Sequence, residues 1–130
     1  MHLLLDHDLP FVTVRVAYQD AVLEIPRVIV DTGSATTLLS VDFVEQIGIV
    51  PEPDDQLRNV YGVGGIESVF MRTLDSLVVD GGAIDGFPVD VGGMDYARGV
   101  NGILGMNFLL RTGAIIDLRR LIMEYDNGIT

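Results

Sequence analysis

Short apolar runs, each ended by Gly, Pro or Asp, limit what this chain can fold into. PFVTVRVAY (Pro10–Tyr18) alternates: Val12, Val14, Val16 and Tyr18 share one face, Thr13 and Arg15 the other. A period of two marks a half-buried strand. Gln19-Asp20 reads as a turn, and AVLEIPRVIV (Ala21–Val30) returns as a second strand. Pro26 has no N–H for a ladder, so an edge or a bulge is expected there. Val28–Val30 does not alternate, which suits a strand buried on both faces.

The period then changes. In SVDFVEQIG, Ser40 is an N-cap, Phe43, Val44 and Ile47 form an apolar face, and Gly48 closes the helix. PEPDD (Pro51–Asp55) is a polar surface connector, too short to divide the chain into domains. NVYGVGGIESVFM reads as two short strands with a Gly-rich tip. LDSLVVDGGAIDGFPVDVGG continues as hairpins, GILGMNFLLRTG holds one short helix, and AIIDL-RR-LIMEY is a last hairpin. Many short strands, two short helices and no βαβ alternation predict a mainly antiparallel β barrel or sandwich. The 130 residues fit one domain, 1–130.

Composition removes several classes of function. With no cysteine there are no disulfides, thiol nucleophiles or thiolate metal sites. A formal charge of −11 repels nucleic acid and anionic lipid, so neither is expected as a partner. No apolar run approaches the ~18 residues a membrane span needs, and MHLLLDHD lacks the basic start of a secretory signal. A cytoplasmic location is expected.

The stretch VIVDTGSATTLLS (Val28–Ser40) poses the chemical question. An apolar strand runs straight into a carboxylate, Asp31. Burying that group unpaired costs several kcal/mol or forces it neutral. It therefore lies at a strand end in water or is placed there for chemistry. Asp-Thr-Gly arises by chance in roughly one chain in fifty of this length, so the triplet alone identifies nothing. Its setting adds weight: a tight turn at Gly33 would leave the Asp31 carboxylate among the Thr32 hydroxyl and nearby backbone N–H groups.

The chain resembles the retropepsin-type aspartic proteases, in three places and in the right order. VIVDTGSATTLLS resembles their catalytic loop, VYGVGG (Val60–Gly65) their flap hairpin, and GILGMNFLL (Gly102–Leu110) their apolar-apolar-Gly element with the helix after it. The resemblance implies a closed, acid protease-like β barrel with one or two short helices. It implies an aspartic endopeptidase in which Asp31 from each of two copies forms the catalytic pair, because one chain carries one Asp-Thr-Gly. Thr32 would bond across the dimer axis, Gly33 would let the backbone approach closely, and Ser34 would bond the outer oxygen of Asp31. Tyr61, Gly62, Val63, Gly64, Gly65 and Ile66 would form the flap over an extended peptide. Ile103, Leu104 and Gly105 would pack near the catalytic loop. Beyond water the resemblance implies no cofactor and no metal. Many viral members carry an acidic residue after the triplet, paired with an Arg after the apolar-apolar-Gly. Here those stretches are Ala35-Thr36 and Met106-Asn107.

Other readings stand beside this one. The domain could be a catalytically silent module that binds peptides or dimerises an assembly, or a small barrel carrying an apolar ligand. GVGG could be a plain hairpin turn; with Glu67 in place it does not fit a dinucleotide loop. DGGAIDG (Asp80–Gly86) reads as a turn rather than a calcium repeat. Asp117 precedes Leu118-Arg119, which reads as a strand end rather than a second catalytic Asp. His2, Asp6, His7 and Asp8 read as a solvated cluster rather than a metal site.

Overall fold

The computed structural model describes residues 1–62, 65–94 and 99–125, and within 61–67 it describes no side chains. Among the described residues the protein has ten strands, two short α-helices and one 3-10 turn. β1 (Leu4–Asp6), β2 (Leu9–Tyr18) and β3 (Ala21–Val30) form an antiparallel meander. β4 (Leu38–Ser40) leads into α1 (Val41–Val44). β5 (Leu57–Gly62), β6 (Gly65–Val79) and β7 (Gly82–Gly92) form a second meander. β8 (Gly102–Leu104) precedes α2 (Met106–Thr112), and β9 (Ala114–Asp117) and β10 (Ile122–Tyr125) close the chain.

The main sheet runs β1-β2-β3-β8-β4-β7-β6-β5, and β2 also pairs with β6. That extra pairing, Arg15 opposite Val78 and Val16 opposite Leu77, closes β2, β3, β8, β4, β7 and β6 into a barrel. Closure gives every strand in the ring two neighbours and, among the described residues, leaves β1 and β5 as the edges of the main sheet. The alternation seen in β2 fills the interior. Val14 and Val16 are fully buried, with Ile25, Leu74, Leu77 and Phe87 from the facing strands. Thr13 and Arg15 face out.

The chain bulges where Pro26 interrupts β3. Val12 pairs with Val28 but Val14 with Ile25, so β3 carries one extra residue there. Arg27 takes up the bulge with a φ of 57°. Its guanidinium lies 4.4 Å from the Phe11 ring and donates to Asp6 at 2.9 Å. That hydrogen bond holds the Asp6 carboxyl below the usual carboxylate range. Beyond the bulge, β3 lies between β2 and β8, although Ile29 remains partly exposed.

Two elements differ from the sequence reading. The segment after Ser40 is not one helix. Four α-helical residues pass into a 3-10 turn at Glu45–Ile47, which Gly48 ends at a φ of 88°. The Ser40 hydroxyl does cap it, accepting from the Asp42 N–H at 3.3 Å. Nor does a strand break fall near Leu74. β6 runs 15 residues and pairs with β7 without a register shift, from Phe70 opposite Val91 to Val79 opposite Gly82.

Pro51–Asp55 is tied down by Arg72 of β6, whose guanidinium donates to the Asp55 carboxylate at 2.6 Å and the Val50 carbonyl at 3.1 Å. At the other end of the barrel the Phe108 ring of α2 meets Phe87 and Tyr125 edge-on, at 5.9 and 6.5 Å. The first residues also join β10: the Leu3 N–H donates to Leu121 at 2.8 Å, and Met1 and Met123 exchange bonds. No described helix is long and apolar enough to cross a membrane.

Candidate functional site

β3 ends at the carboxylate. The Asp31 N–H still donates to the Leu104 carbonyl at 3.0 Å, the last rung between β3 and β8. The chain then turns sharply, with the Ser34 N–H donating to the Asp31 carbonyl at 3.3 Å. The Gly33 N–H donates to Oδ1 of Asp31 at 2.8 Å. A Cβ on residue 33 would sit 3.1 Å from that oxygen, so the carboxylate uses space that a side chain would crowd. Asp31 is partly exposed, and among the described residues no cation lies within ion-pair distance of it. The arrangement is a carboxylate aimed outward at a strand end, oriented by one backbone donor and open on its other oxygen.

The loop after Asp31 is stitched to the start of α2. A helix leaves its first N–H groups without intrahelical partners. Here the loop supplies them. The Met106 N–H donates to the Ser34 carbonyl at 2.7 Å and the Asn107 N–H to the Ala35 carbonyl at 3.1 Å. The Gly105 N–H donates to the Thr37 hydroxyl at 3.1 Å, and that hydroxyl donates to the Asn107 side-chain oxygen at 2.8 Å. Contact is close enough that a Cβ on Gly105 would lie 2.0 Å from the Thr36 carbonyl oxygen. Only glycine fits there.

The structure thus brings Asp31, Gly33, Ser34, Leu104 and Gly105 together. Ile103 lies in β8, opposite Ile29 of β3 and Leu38 of β4. Thr32 is exposed, and among the described residues its side chain makes no hydrogen bond. Ser34 corrects the sequence reading. Its hydroxyl does not bond Asp31 but donates to the Thr36 carbonyl at 2.7 Å, because the turn points it back along the loop. At Ala35 and Asn107 the loop and helix are joined through backbone groups.

The residues expected to form a flap are described only in part. β5 and β6 pair up to Gly62 opposite Gly65, with Tyr61 opposite Ile66. Val63 and Gly64 lie outside the described residues, as do the side chains of Tyr61 and Ile66. Asp117 sits at the end of β9, where its carboxylate takes the Arg120 N–H at 3.0 Å and the guanidinium at 2.8 Å.

One charged residue at the site escaped the sequence reading. Asp90 of β7 is 5% exposed. Its carboxylate accepts from the Thr36 hydroxyl at 2.9 Å and from the Arg58 guanidinium. Its N–H donates to the Thr37 carbonyl at 2.8 Å. The signal was present in FPVDVGG, where a charged residue interrupts a run buried on both faces, from Val89 to Gly92. Such a charge needs partners.

With this geometry in place, comparison with known proteins adds one match. The family model described as aspartyl protease covers residues 12–108, from β2 into the first turn of α2. No curated protein matches the chain.

Proposed function

The chain belongs to the aspartyl protease family, and we propose that it is an aspartic endopeptidase whose catalytic pair is Asp31 from each of two identical subunits. The observation that carries this reading is the Asp31 carboxylate itself. It stands at a strand end, partly exposed, held by the Gly33 N–H and by a loop pinned to Gly105–Asn107. One carboxylate cannot do the chemistry alone. Hydrolysis of a peptide bond by this route needs one ionised carboxylate to take a proton from water. It also needs a protonated one to polarise the scissile carbonyl. Two such groups close together share a single proton and titrate as a pair.

In the proposed reaction the ionised carboxylate removes a proton from water as the water oxygen bonds to the carbonyl carbon. The protonated carboxyl gives its proton to the carbonyl oxygen, leaving a tetrahedral diol. The first carboxyl then returns its proton to the amide nitrogen while the second takes one from a diol hydroxyl, so the C–N bond breaks, an acid and an amine leave, and the pair is restored. Thr32, exposed beside Asp31, would bond across the two-fold axis of such a dimer. The β5–β6 hairpin would cover an extended substrate, which binds by strand addition. Val63 and Ile66 would line its subsites, and cleavage should favour apolar residues.

The test is a peptide-library digest of the wild type beside Asp31→Asn, with molecular mass by light scattering. The variant should keep its mass as a dimer and lose cleavage on the order of a thousandfold. Equal cleavage by both proteins would remove Asp31 from the chemistry. A dimer that cleaves nothing at any pH would support the peptide-binding module instead.

A further inference from the structure

The buried carboxylate of Asp90 has no part in the chemistry above, yet it joins three parts of the fold. It lies on β7, it accepts from Thr36 in the Asp31 loop, and it accepts from Arg58 on β5. β5 is an edge strand, paired only with β6. Among the described residues, the bond from Arg58 to Asp90 is the one side-chain hydrogen bond joining β5 to anything beyond its own hairpin.

We propose that Arg58, Asp90 and Thr36 form a latch that ties β5, in the β5–β6 hairpin, to the loop carrying Asp31. Arg58 acts as a positioning residue, and the proposal rests on the endopeptidase reading, in which that hairpin covers the peptide. The two ends of the latch differ in exposure. The Asp90 side chain is 6% exposed and the Arg58 side chain 57%. When the contact opens, the guanidinium returns to water at little cost. The carboxylate is left buried with Thr36 as its remaining side-chain donor, which is costly. That asymmetry favours the joined position of β5 without locking it. A groove of about 650 Å³, bordered by Thr36, Leu57, Arg58, Met71 and Asn107, lies beside the contact. The charge-assisted bond also passes the hairpin's position on to the loop, because Thr36 lies one residue before Thr37, the hydroxyl that holds Gly105.

Amide hydrogen exchange on the whole chain tests the latch without needing cleavage. Arg58→Met should speed exchange in residues 57–60 and 34–37 by about tenfold and leave β2 and β3 unchanged. Arg58→Lys, which keeps the charge but not the planar fork, should fall between the variant and the wild type. On a cleaved library peptide, Arg58→Met should raise KM and leave kcat within about twofold. Unchanged exchange in Arg58→Met overturns the latch. So does exchange raised equally across the barrel, or Arg58→Lys no better than Arg58→Met. The peptidase reading stands or falls separately, on Asp31→Asn.

Discussion

Thr37 is fully buried, and its hydroxyl accepts from the Gly105 N–H and donates to Asn107. One atom therefore adds two bonds to the backbone pair that joins the Asp31 loop to α2. Thr37→Val keeps the shape and removes that atom, leaving a buried N–H and a side-chain carbonyl without their partner. The expected loss is about 2 kcal/mol of stability, read as a lower urea midpoint at unchanged slope. Thr37→Ser, which keeps the hydroxyl, should lose less than half as much. A Val variant as stable as the wild type would show that the packed methyl groups, and not the hydroxyl, hold the joint. Neither partner was legible beforehand, because a Thr in TTLLS has the same local signature whether it faces water or a helix 70 residues later.

At the scale of elements, the terminal hairpin docks through Tyr125. Its hydroxyl donates to the Val79 carbonyl at 2.7 Å, and its ring fills the space over Gly82, where a Cβ would lie 2.5 Å from a ring carbon. Burial, with the nearby Asp80 charge, pushes the phenol up to about 12. The sign follows directly. The unfolded chain loses this proton near pH ~10, whereas the folded chain keeps it until about pH 12. Between those values the folded state binds more protons, so stability falls as pH rises through that window. Tyr125→Phe should flatten the fall while costing the hydrogen bond at neutral pH. Urea midpoints on either side of the window measure it; an equal alkaline fall in both proteins would assign the effect to another group. The hairpin itself was readable from AIIDL-RR-LIMEY. What it packs against was not, since periodicity names a buried face and not the surface that covers it.

For the whole molecule the charge matters most. Each chain carries a formal charge of −11, so bringing two together in a dimer is opposed by long-range repulsion. Salt screens such repulsion over about 10 Å at ~0.1 M and more closely above that. Light scattering should therefore show tighter dimerisation as salt rises, by about tenfold in Kd between low and high ionic strength. Weaker association with salt would mean that the subunits meet through attractive ion pairs, and that the surface charge is unevenly spread.

The sequence by itself determined the classes of element and the place of the candidate carboxylate. Alternation in β2, the interruption at Pro26, the cap at Ser40 and the carboxylate after Val28–Val30 are all local, so neighbours along the chain report them. Tertiary structure decided the rest. Closure of the barrel depends on β2 meeting β6 far along the chain. The fit of Gly105 depends on a carbonyl, that of Thr36, which arrives from another strand connection. Asp90 became part of the site only when β7 lay beside β4 and brought Thr36 and Arg58 to one carboxylate. Those contacts join residues distant in sequence, and no local pattern records which distant groups a closed barrel will bring within hydrogen-bonding distance.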